Sequence, residues 1–173
     1  MSYKFFSSSR DATAISLIAT TTFDEWIKEQ PSFVKTWVKA SGFRAEAGTH
    51  CLVPGPRGTL SEVLVGTQEA IGIWALAGLP ENLPVGTYFI KTKLKKQLAT
   101  DLAVGWALAC YRFEKYKTQK NTRKFPNLVW PKGCDRDAVI RSADAVFMVR
   151  DLINTPAEDM GPPELANAAR KLA

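Results

Sequence analysis

Histidine is nearly missing from this chain: His50 is the single one among 173 residues. That excludes a histidine-based metal site, and any Cys/His pair would have to draw on Cys51, its sequence neighbour, or on the distant Cys110 and Cys134. Adjacent side chains on a strand point to opposite faces, which disfavours His50 with Cys51. The three cysteines are odd in number and far apart, a pattern of reduced thiols and not of a disulfide framework. Long apolar runs are missing as well. The longest uncharged run, Ala12 to Phe23, falls far short of the roughly 20 apolar residues of a membrane-spanning helix. Met1 to Arg10 lacks the apolar core of about 7 to 15 residues that a signal peptide needs, so the expected location is the cytoplasm. Pro54-Gly-Pro-Arg-Gly58 matches neither phosphate-loop pattern and reads as a hairpin turn. The carboxylate pairs Asp135/Asp137 and Glu158/Asp159 stand in no metal-binding loop pattern. No catalytic or metal-binding residue is assigned to any position.

What is present is the composition of an ordinary globular protein, 46% hydrophobic and 23% charged. At this length folding buries about 70% of the surface that the unfolded chain exposes, so the core needs neither disulfides nor metal. Charge is uneven. Lys91 to Arg141 holds thirteen basic residues against four acidic ones, whereas the net charge of the whole chain is only +6. The densest part, Arg112 to Lys124, has six basic residues with Glu114 alone opposing them. It reads either as a solvated helix end and loop or as a patch for anions or nucleic acid.

Periodicity predicts alternating strands and helices. Ala14 to Thr20 is a β-branched, buried strand, and Thr22 with Glu25 has the spacing of a capping box. Phe23, Trp26 and Ile27 share a helix face; so do Val34, Trp37 and Val38 after Pro31, with Gly42 closing the second helix. Strands are expected at Phe43 to Ala47, Cys51 to Pro54, Glu62 to Thr67 and Tyr88 to Lys91, and a short apolar helix at Ala70 to Leu79. The most regular pattern, Leu98, Leu102, Gly105, Trp106, Ala109, Phe113 and Tyr116, predicts a helix from Leu94 to Tyr116. Gly105 sits on its apolar stripe, where a missing side chain permits close backbone approach. A brief strand at Asn127 to Trp130 and a helix from Asp135 to Ile153 follow. The order implies an α/β layer architecture with both sheet faces covered. The boundary signal is late. Asn154 to Pro163 carries three prolines and a glycine, Thr155, Pro156 and Glu158 resemble a helix cap, and Glu164 to Ala173 starts a further helix whose apolar face needs a partner.

Arg150-Asp-Leu-Ile-Asn-Thr-Pro-Ala-Glu-Asp-Met-Gly-Pro-Pro-Glu-Leu165 closely resembles the segment joining the two domains of the leucyl (cytosol) aminopeptidase family. Gly105-Trp-Ala-Leu-Ala-Cys-Tyr-Arg-Phe113 is similar to that family's long amino-domain helix, and Trp74 to Pro80 with Gly86-Thr-Tyr88 to the region before it. Glu158 departs from the family, where many members carry Asn. The resemblance implies a three-layer αβα fold with a mixed sheet, akin to macro domains. It divides the chain into an amino-terminal α/β domain, 1–153, and a linker with the first helix of a catalytic domain, 154–173. It further implies a hexameric metallo-aminopeptidase removing amino-terminal residues from peptides with two divalent ions, zinc, manganese or magnesium. Their ligands lie in motifs, such as Asn-Thr-Asp-Ala-Glu-Gly-Arg, that this sequence does not contain. The expected role is a non-catalytic scaffold and assembly domain. A nucleic-acid-binding module acting through 112–124 and a macro-type binder of nucleotide ligands are the alternatives.

Overall fold

The computed structural model describes residues 3–55, 58–118 and 124–170. Six strands form one sheet: β1 (Phe5–Phe6), β2 (Thr13–Ala19), β3 (His50–Pro54), β4 (Leu60–Thr67), β5 (Thr87–Ile90) and β6 (Asn127–Val129). Their order is β1-β6-β5-β2-β4-β3, parallel throughout except for β3, which runs antiparallel to β4 at one edge. Alternation along β4 divides the core. Val63 and Val65 face one layer with Ile15 and Tyr88, while Leu64 faces the other with Ile18. On the first face lie α3 (Leu79–Asn82), α4 (Lys96–Ala109) and α5 (Arg136–Asn154); on the second lie α1 (Phe23–Lys28) and α2 (Ser32–Ser41). The result is a three-layer αβα sandwich with a mixed sheet. A last helix, α6 (Pro162–Arg170), contributes no buried residue.

Most expected elements are present, with shifted limits. Gly42 closes α2 in the left-handed region at φ 70°. Asp135 accepts a hydrogen bond from the Ala138 N–H at 2.9 Å and so caps α5. The β3–β4 hairpin is closed by the Gly55 N–H on the Thr59 carbonyl at 2.6 Å, although Pro56 and Arg57 lie outside the described residues.

Five expectations are corrected. No strand forms at Phe43 to Ala47: this stretch crosses the end of β4, where a Cβ at Gly66 would come within 2.1 Å of the Glu46 carbonyl oxygen. Its polar groups bond elsewhere, the Ala45 carbonyl accepting from the Thr20 hydroxyl at 2.6 Å. The capping box at Thr22 is absent, because Thr20–Thr22 is already a 3-10 turn and the Thr22 hydroxyl donates backward to the Ala19 carbonyl. The single helix expected over Ala70 to Leu79 is instead a 3-10 turn, Ile73–Leu76, and the short α3, separated by Gly78. The helix expected to reach Tyr116 stops at Ala109, since Tyr111 and Arg112 turn away to other partners. Thr155 does not begin a new helix: its hydroxyl donates to the Asp151 carbonyl at 2.7 Å and closes α5. Strand β1 was not anticipated. Two residues are too short for a periodic signal, and they are placed by the Leu128 N–H on the Lys4 carbonyl.

Candidate functional site

The titratable residues singled out above do not converge. His50 opens the edge strand β3 half-buried; Cys51 beside it is buried, with its sulfur 3.3 Å from the Ser41 hydroxyl. Cys110 lies at the end of α4, fully buried, and Cys134 lies half-buried before α5. Burial, helped by the Glu81 charge and opposed by Arg112, pushes the Cys110 thiol from its ordinary 9 up to about 12. Burial also raises Cys134. A nucleophilic cysteine needs its thiolate, and these environments favour the thiol. Asp135 is spent on capping, and Glu158 and Asp159 fall in the 3-10 turn Ala157–Asp159. Among the described residues no group of three or more His, Cys, Asp or Glu could hold a metal ion. The divalent-metal chemistry that the resemblance implies therefore does not fit the described residues.

Thiol chemistry supplies a direct check. In the native chain at pH 8, Ellman's reagent is expected to titrate Cys134 slowly and to leave Cys51 and Cys110 untouched until denaturant is added. Fast reaction of all three thiols in the folded chain would contradict the packing around α4. The sign for stability follows from the raised Cys110 value. Its contribution is fully present below the unfolded pKa near 9 and is lost as pH climbs toward about 12.

Polar side chains converge instead where α5 meets the loop after α4. The Tyr111 hydroxyl donates to Asp151 at 2.8 Å and accepts from the Asn154 amide at 3.1 Å, and the Tyr111 ring packs 5.2 Å from that of Phe147. Arg150 donates to the Leu108 carbonyl at 2.9 Å, complementing the carboxyl end of α4. One step further, the Tyr116 hydroxyl bonds to Asp159, and the Lys115 ammonium stands 3.8 Å from the same carboxylate. These contacts tie residues 150–159 to residues 108–116 across a cleft of about 600 Å³ lined by Phe147, Met148, Leu152 and Met160. The chain then enters α6, where Glu164 accepts from the Gly161 N–H and Leu165 is 54% exposed. On α5 just before it, Ile153 is 77% exposed. Sequence reasoning flagged this segment as a boundary and missed its anchors, since nothing local announces pairs about 40 residues apart.

The same contacts alter the reading of the basic segment. Arg112 pairs with Glu81 at 3.1 Å and stacks 3.8 Å over the Phe125 ring, and Lys115 faces Asp159. Lys117 and Lys124 are exposed, while Lys120 and Arg123 lie outside the described residues. Two of the six cations are thus spent inside the domain, which gives the nucleic-acid alternative no support.

Comparison with known proteins agrees with the resemblance. Residues 13–131 match the family described as "M17 aminopeptidase, N-terminal domain". The crystal structure of cytosol aminopeptidase from Coxiella burnetii is similar over 96% of this chain and 36% of that one, with a TM-score of 0.87 and 32% identity. A probable cytosol aminopeptidase of Brucella anthropi is 32% identical over 55% of this chain and 22% of its own length. One of Wolinella succinogenes is 27% identical over 94% of this chain and 36% of its own. The chain thus spans about a third or less of the relatives that it matches. With its mixed sheet and helical layers on both faces, it belongs to the family of M17 aminopeptidase amino-terminal domains.

Proposed function

We propose that this chain is the non-catalytic amino-terminal domain of a cytoplasmic aminopeptidase, and that it braces a carboxy-terminal catalytic domain. Residues 1–153 form the α/β domain, and 154–173 form the linker and the first helix of the catalytic part. One observation carries the reading: α6 has an apolar side and no buried residue, while the segment leading to it is fastened to the domain by Tyr111, Tyr116 and Lys115. A helix so short gains too little from its own backbone to stand alone, so its apolar side calls for a second packing unit. The fastening sets the direction in which that unit is held.

In this reading, removal of amino-terminal residues from peptides belongs to the catalytic domain, where two divalent ions, zinc, manganese or magnesium, would supply Lewis-acid chemistry from ligands that this sequence does not contain. The hexameric assembly that the resemblance implies would belong to the longer protein. This chain's residues supply position and rigidity. The purified chain is expected to fold and to show no hydrolysis of leucine p-nitroanilide with added manganese or zinc. Metal-dependent turnover that copurifies with the chain through successive columns would overturn the assignment of catalysis to other residues.

A further inference from the structure

On the sheet face opposite α4 and α5, a groove opens between α1 and α2, away from the linker segment. Its floor is apolar, made by Phe23 and Ile27 of α1 and Val38 of α2, and it encloses about 540 Å³. Phe23 and Val38 are themselves core residues, so the floor is rigid. The rim is cationic. Lys28 stands at the end of α1, Lys35 and Lys39 lie one turn apart on α2, and Arg44 follows beyond Gly42, with Asp24 the single acid lining the groove among the described residues. The Lys35 ammonium donates to the Lys28 carbonyl at 2.7 Å and bridges the two helices. Among the described residues, none of the four cations is in a salt bridge.

We infer that this groove docks an acidic segment of a partner protein, one that inserts a bulky apolar side chain between α1 and α2. Charge placement chooses the occupant. A fatty acid brings one carboxylate at one end of an apolar tail, whereas here cations stand on both walls and are spaced along α2. A peptide that alternates carboxylates with apolar residues matches both features, its apolar anchor on half-buried Ile27 above Phe23 and Val38 and its acids toward the rim. Cations on a rim chiefly speed encounter and make it salt-dependent, and the buried anchor supplies residence time.

The test uses the full chain and a fluorescein-labelled peptide alternating Glu with Leu, followed by fluorescence anisotropy. Binding at tens of micromolar in low salt is expected, weakening about tenfold at physiological ionic strength and again about tenfold in the K35E/K39E variant. Both substituted positions are exposed; because Lys35 also bridges the helices, K39E alone, which leaves that bridge intact, should keep the wild-type circular dichroism and weaken binding in the same direction. Amide shifts on titration should concentrate at Phe23, Ile27 and Val38, and a peptide with Lys in place of Glu should not bind. Unchanged affinity in K35E/K39E, shifts elsewhere, or no peptide binding at millimolar concentration would overturn the proposal. So would cosedimentation with phosphatidylserine vesicles without peptide binding, since the cations would then serve a membrane surface.

Discussion

Gly105→Ala is expected to destabilise the domain by about 3 kcal/mol, against a helix-propensity gain of about 1 kcal/mol that would favour Ala in an unconstrained helix. Gly105 lies inside α4 on the face that meets the 3-10 turn Ile73–Leu76. A Cβ there would stand 1.9 Å from the Ile73 carbonyl oxygen and 3.0 Å from its carbonyl carbon. Backbone cannot swing aside as a side chain can. Leu76 of the same turn and Trp106, next to Gly105, are both fully buried in one core cluster. Accommodating one methyl group therefore means moving α4 or the turn by about an ångström against a close-packed core. In urea, where small domains lose about 1–3 kcal/mol per molar, the midpoint should fall by more than about 1 M. Gly72→Ala is the control, because nothing lies within 4 Å of a Cβ at that position and its φ of −95° suits any residue. If Gly105→Ala leaves the midpoint unmoved while Gly72→Ala behaves the same, α4 does not approach the turn as described.

Gly105 also shows why part of this fold was legible in the sequence. Its place on the apolar stripe of α4 pointed to close backbone approach, because a helix gives every third or fourth residue one environment and the exception stands out. The same logic located α1, α2 and α5, and a run of β-branched and apolar residues located β2. Where the environment is made by residues distant in the chain, local pattern misleads. Phe43 and Ala45 are buried and look like a strand, yet the segment is fixed by Thr20 and by the crossing over Gly66. Phe113 and Tyr116 continue the helical spacing of α4 after the helix has ended, because Arg112 is drawn to Glu81 and Tyr116 to Asp159. For the candidate site, sequence supplied the boundary at Asn154 and the apolar side of α6. The polar anchors come only from the fold, and in sequence α1 and α2 show only two apolar faces, with no sign of the groove between them.

Amide hydrogen exchange should separate α5 from α6 by on the order of a thousandfold in rate, since local opening in a domain spans from near zero to the full unfolding free energy. Val139 and Ala143 of α5 are fully buried against α4, so their amides open only with much of the domain. No residue of α6 is buried, and Leu165 has no cover over most of its surface. Rapid exchange is therefore expected across Pro162–Arg170 and strong protection from Val139 to Phe147 in the dilute chain. The segment between them should behave as a third case. Thr155 and Asp159 are held by backbone bonds and by the Tyr111 and Tyr116 anchors nearby, giving intermediate protection that Tyr116→Phe removes at Asp159 without altering α5. In a longer protein that contains the catalytic domain, α6 should become protected while α5 changes little. Protection of α6 equal to that of α5 in dilute isolated chain would mean that its packing partner lies within these residues, and the division at 153/154 would fall.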